Sequence, residues 1–160
     1  MELNAAHVHL LLNHLPVLGS IFGTILLAWA VWRRKDESTR VALVVLTLVA
    51  LASIGTYLSG EPAEEIVERL DGFSDPVMES HEEAALPANI AAIVLGLSAL
   101  GGVILYRARP VARRYSMVVL VLAVVTAALM SWTALLGGQV RHTEVRPADA
   151  AVVAPAYDDD

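Results

Sequence analysis

The chain of 160 residues is 56% hydrophobic, contains no cysteine and carries a formal net charge of −6. Its mean hydropathy of +0.60 lies beyond the balance of a soluble domain, while its length fits a single domain. Without cysteine there are no disulfides, thiolate metal sites, iron–sulfur clusters or covalently attached haem, and the basic residues form two short clusters, unlike a nucleic-acid-binding surface.

A membrane-spanning helix needs about 20 mostly apolar residues in succession. Four stretches qualify: His9–Trp32, Val41–Gly60, Ala84–Tyr106 and Tyr115–Gly138. The first has no basic segment ahead of it and is too long for the apolar part of a signal peptide, so it is expected to be a retained helix. Trp29 and Trp32 mark one interface. Pro16 deprives the Leu12 carbonyl of its helical partner and predicts a kink. Gly19 and Gly23 form a pair that lets a neighbouring backbone come close. A basic hairpin follows, with Arg33, Arg34, Lys35 and Arg40.

The second helix ends at Tyr57-Leu-Ser-Gly60. Pro62 can then open a short helix with Ile66, Val67 and Leu70 toward the membrane and Glu64, Glu65 and Glu68 toward water, closed by Gly72. Pro76 marks the first turn of the third helix, which carries the small-residue stripe Ala84, Ala88, Ala92 and Gly96 and a bend at Pro87. A second basic hairpin holds Arg107, Arg109, Arg113 and Arg114. The fourth helix repeats the small-residue spacing at Ala123, Ala127 and Ser131, then ends at Gly137-Gly138.

The fold expected is an all-α, integral membrane four-helix bundle, with helices over about residues 7–32, 41–60, 76–106 and 115–138. These make a transmembrane domain over 1–145, followed by a flexible acidic tail over 146–160. By the positive-inside rule both basic hairpins are cytoplasmic. Both termini and the central loop then lie outside, which in a bacterium is the periplasmic side of the inner membrane.

Counting about 1.5 Å per residue outward from Trp32, Tyr106 and Tyr115 places the outer hydrocarbon boundary near Leu12, Leu86 and Leu135. His14 falls just inside it, and His7, His9, His81 and His142 just outside. At about 100° per residue, His7 and His14 share one face of the first helix and His9 and Asn13 another. As the deeper pair, one or both of Asn13 and His14 are expected to line the interior. Glu64, Glu65, Glu68 and Glu79 read as a solvated face, and Glu61 and Glu82 lie nearer the bundle mouth.

Neutral imidazole is the commonest metal ligand and an axial ligand of haem iron. A b-type haem would therefore be held by His14 with His81 or His142 opposite, His9 in reserve and Asn13 beside it. The alternative is a non-haem divalent transition metal held by His9, His14, His81, His142, Glu61 and Glu82. The Glu-x-x-His spacing of di-iron bundles is absent, which ranks that chemistry below haem.

The pattern His9, Asn13-His14-Leu15-Pro16, Gly60-Glu61-Pro62, His81-Glu82-Glu83 and Gly137-Gly138 followed by His142 resembles a set of uncharacterised bacterial four-helix membrane proteins. The likeness covers about Ala6 to Val145. More distantly the chain looks like a domain of unknown function with a His-x-Pro first helix and a Gly-Gly…His end to its fourth, differing from it at Leu15, where that group usually carries phenylalanine, and in lacking that group's His-Gly after the Gly-Gly motif. Some members of that group are fused to c-type cytochrome or Rieske domains. The resemblance implies a membrane electron-transfer role, with haem b.

The expected function is thus a small redox-associated subunit in the bilayer, working with a periplasmic cytochrome or another respiratory membrane subunit. A homo-oligomer and a non-enzymatic assembly subunit remain alternatives. No serine-histidine-acid or zinc-protease motif occurs, so a binding or electron-transfer subunit is favoured over a stand-alone enzyme.

Overall fold

A computed structural model describes residues 4–147. Its helices are α1 (Ala5–Arg33), α2 (Asp36–Leu58), α3 (Gly60–Val67), α4 (Asp75–Leu105) and α5 (Arg113–Arg141), and a short 3-10 turn follows at Thr143–Val145. The described residues include no strand. Four helices are long and apolar enough to cross a membrane: α1, α2 with its continuation α3, α4 and α5. The protein is an all-α four-helix bundle of the multi-pass membrane type.

The four long helices form a ring in which α1 packs on α2, α2 on α4, α4 on α5 and α5 on α1, leaving α1 diagonal to α4. Large apolar side chains cover the outside: Leu18, Phe22 and Ile25 on α1 and Val118, Val121 and Val124 on α5 are all exposed. In water this surface would be untenable, whereas in a bilayer it is the solvated face. The inside combines buried leucines, Leu27, Leu43, Leu46 and Leu95, with small residues where helices approach closely. The glycine pair of the first helix is spent within the chain, with Gly19 against Val49 and Gly23 against Leu46 of α2. Ala88, Ala92 and Gly96 are buried along α4, as is Ala123 on α5. One buried polar pair crosses the interior, the Ser53 hydroxyl donating to Asn89 Oδ1 at 2.8 Å.

Helix ends run past the apolar stretches. α2 begins at Asp36, five residues before Val41, because Asp36 and Glu37 suit the positive end of the helix dipole and the Thr39 hydroxyl donates back to the Lys35 carbonyl at 3.0 Å. α5 continues to Arg141, three residues beyond Gly138. Polar residues end an apolar run without ending a helix.

At one end of the bundle, called here the arginine end, the two tight hairpins are tied together. Arg40 Nη2 donates to the Arg109 carbonyl at 2.7 Å, and the Val111 amide donates to Asp36 Oδ1 at 2.6 Å. Arg34 closes α1 in the left-handed conformation with φ 54°, its turn sealed by the Lys35 amide on the Ala30 carbonyl at 3.0 Å. At the opposite end, the histidine end, α3 packs on α1. Arg146 folds back to donate to the carbonyls of Gln139, Val140 and Gly72 at 2.8–2.9 Å. It satisfies last-turn carbonyls of α5 and fastens the loop after α3. Of the predicted tail, 148–160 lies outside the described residues.

Candidate functional site

The histidine end holds two imidazoles, each fixed to the neighbouring helix of its own hairpin. His9 on α1 places Nδ1 3.0 Å from the Ser59 hydroxyl at the end of α2. That hydroxyl spends its own proton on the Thr56 carbonyl at 2.8 Å, so its oxygen accepts and His9 Nδ1 donates. His81 on α4 donates from Nδ1 to the Thr133 carbonyl of α5 at 3.1 Å. The Thr133 hydroxyl donates in return to the Ala84 carbonyl of α4 at 3.0 Å.

In the neutral state both rings therefore carry the proton on Nδ1 and present a lone pair on Nε2. A ring nitrogen anchored to a backbone carbonyl or an oriented hydroxyl, with the other nitrogen left as a base, is the arrangement that orients metal-ligating histidines. The two rings lie within Coulombic reach of one another, although α1 and α4 are diagonal in the bundle.

Glycine makes room for the His81 ring. A Cβ at Gly137 would lie 2.9 Å from His81 Cε1 and 3.1 Å from its Nδ1, so the ring lies against the bare backbone of α5. A Cβ at Gly60 would lie 3.9 Å from His9 Cε1, an ordinary contact.

The remaining candidates are placed differently. His14, expected to line the interior, is exposed on the outer face of α1, where its Nδ1 donates to the Leu10 carbonyl of its own helix at 2.8 Å. The cause is helical phase: Pro16, Ser20 and Gly23 form the buried stripe, and a residue two positions from Pro16 is turned about 200° away from it. Asn13 is half-buried. His142 caps the end of α5 in solvent, its Nδ1 2.9 Å from Glu144 Oε1. His7 bonds Asn4 Oδ1 at 2.7 Å, and the same oxygen accepts the His7 amide and caps α1. Glu61 and Glu82 are exposed. His14 faces outward, away from the expected meeting with His81 or His142, and His9 is the imidazole within Coulombic reach of His81. Among the described residues no group of three or more histidine, aspartate or glutamate side chains is gathered as a metal site.

Sequence alone does not mark Ser59, Thr133, Gly137 or Glu64 as site residues, although Ser59 and Gly137 lie inside the Tyr-Leu-Ser-Gly and Gly-Gly motifs. Glu64, placed by periodicity on a solvated face, is half-buried, and its carboxyl interacts with that of Glu82 on α4. Sharing a proton with Glu82 pushes the Glu64 carboxyl up to about 7, with desolvation and then the charges of Glu82, Glu68 and Glu61 adding to the rise. A scan against protein-family models, a search of curated proteins and a search of solved structures each give no match to this chain.

The Glu64–Glu82 contact makes a pH prediction whose sign follows from linkage. The unfolded carboxyl titrates near 4.5 and the folded one near 7. The folded state is therefore penalised progressively as pH rises through that window, and the penalty is complete above it. Glu64→Gln should leave stability unchanged below pH 4.5 and raise the melting temperature above pH 7. Parallel melts of the two proteins across that range isolate the effect; equal melting temperatures at pH 8 would refute the shared proton.

Proposed function

We propose that this protein is a small membrane subunit for one-electron transfer, with b-type haem held at the histidine end by His9 and His81. The observation that carries this reading is the matched anchoring of the two imidazoles: Nδ1 committed, Nε2 uncommitted, one from each hairpin. Two such imidazoles are the donor set of a six-coordinate haem iron, and haem when bound supplies the one-electron couple. His14 and His142, the former facing outward and the latter paired with Glu144, drop out of the ligand set proposed.

The chain's own residues have distinct parts in this reading. Ser59 and Thr133 hold each ring in one tautomer and one orientation, which raises the basicity of the opposite nitrogen. Gly137 gives His81 a flat seat, and Glu64 with Glu82 holds a proton at the same end of the bundle. The positive-inside rule supports placing the arginine end in the cytoplasm and this site on the outer, periplasmic side of a bacterial inner membrane, where a soluble or membrane-bound redox partner would meet it. The resemblance to proteins fused with cytochrome c and Rieske domains supports the same role.

A non-haem centre would require three or more donors together, and no such group is gathered among the described residues. The absorption spectrum of protein extracted in mild detergent tests the proposal. A Soret band that shifts on reduction with dithionite, at about one haem per chain or per pair of chains, is expected. Colourless protein from haem-replete cells overturns it.

A further inference from the structure

The arginine end carries a second site that the histidines play no part in. Between the α1–α2 turn and the start of α5 lies a cleft of about 400 Å³, lined among others by Val31, Arg34, Thr39, Arg113 and Ser116. A second hollow of about 480 Å³, lined by Arg113, Arg114 and Met117, adjoins it through the shared Arg113.

The charge around the cleft is one-sided. The two hairpins hold eight basic residues against Asp36 and Glu37. Asp36 lines the cleft but is already engaged, by Arg40 Nε at 2.9 Å and by the Val111 amide. Among the described residues Arg34, Arg113 and Arg114 have no carboxylate within ion-pair distance. Apart from the engaged Asp36, the polar side chains of the walls are also spent, the Thr39 and Ser116 hydroxyls donating to the Lys35 and Ala112 carbonyls at the starts of their helices. The first turn of α5 starts here with no side-chain cap on its amides.

The depth of the cleft identifies its occupant. Trp29, Trp32, Tyr106 and Tyr115 cluster at this end, as aromatic residues do at the level of lipid headgroups. Immediately beyond Arg113 and Arg114, α5 presents Met117, Val118 and Val121 to the hydrocarbon, all exposed. A cationic cleft at headgroup depth that opens onto an apolar helix face is shaped for one class of molecule. We propose that the cleft binds the phosphate of an anionic phospholipid between Arg34 and Arg113, with the acyl chains lying along α5. Guanidinium forks suit a phosphodiester because they meet two of its oxygens at once.

The test uses the full chain in detergent, with retained lipids counted by native mass spectrometry during titration with phosphatidylglycerol or phosphatidylcholine. At least one phosphatidylglycerol per chain should be held roughly tenfold more tightly than phosphatidylcholine. The preference should vanish in R34Q/R113Q and persist in R107Q, which removes a charge from the same end of the bundle without touching the cleft. Both arginines are exposed, so their replacement leaves the core intact. Equal retention of the two lipids by the unaltered protein overturns the proposal. So does an equal loss in R107Q, which would mean diffuse surface charge. Glycerol phosphate competing as well as the intact lipid would reassign the cleft to a soluble phosphate and overturn the lipid assignment.

Discussion

His81→Ala should abolish the low-spin, six-coordinate haem spectrum, whereas His14→Ala should leave it unchanged. The contrast is large because the two residues differ in kind. His81 is half-buried, seated on Gly137 and anchored through Nδ1 to α5, while His14 faces outward and satisfies itself on its own helix. His9→Ala should behave like His81→Ala. Ser59→Ala removes only the group that orients His9, and should lower haem affinity by roughly tenfold to a hundredfold without changing the ligand set. Added imidazole separates ligation from packing: it should restore the six-coordinate spectrum to the His81→Ala protein, which it could not do if the ring merely joined α4 to α5. An unchanged spectrum in His81→Ala, or its loss in His14→Ala, would end the case for His9 and His81 as the pair.

The same two histidines show where sequence reading succeeds and where it stops. The four spans were legible because length and hydropathy are properties of a whole stretch, and a bilayer demands about 20 apolar residues whatever their order. Helical phase was harder to read. In lipid both faces of a helix are apolar, so Leu11 and Leu18 on the outside of α1 look no different in sequence from Leu27 inside it. Depth alone ranks His14 first among the histidines. Small residues carry the phase that hydropathy lacks, because only the packed face needs them.

Read outward from Gly23 through Ser20 and Pro16, the buried stripe of α1 reaches His9, seven residues or nearly two turns beyond Pro16. On α4 the same step from Ala88 reaches His81, and on α5 it leads from Met130 to Gly137. That signal was present in the sequence. The anchoring partners were not, because Ser59 and Thr133 reach the imidazoles only through contacts between helices, over 50 and 52 residues of chain.

Gly96→Ala is expected to be the most disruptive single-methyl change in the bundle. A Cβ on Gly96 would be driven into the Cβ of Ala50, with the Leu46 carbonyl behind it. Nothing there is the far end of a flexible side chain, so α2 and α4 would have to separate. Overpacking of this kind costs about 1–3 kcal/mol, against which the better helix propensity of alanine returns about 1 kcal/mol at most. Gly55 on α2 provides the control: a Cβ there meets nothing within 4 Å, so Gly55→Ala should be neutral or stabilising by about 0.4–1 kcal/mol. Unfolding of the two variants in mixed detergent micelles compares them directly, and Gly96→Ala as stable as the parent protein would mean that α2 and α4 are not in close backbone contact.

The consequence extends to the site, because α2 carries Ser59 and α4 carries His81. Forcing these helices apart moves the α1–α2 hairpin relative to the α4–α5 hairpin, and His9 relative to His81, while leaving each Nδ1 anchor intact. Gly96→Ala should therefore disturb the ligand pair from the middle of the membrane, with a weakened or shifted haem spectrum and no change to any residue that touches the histidines.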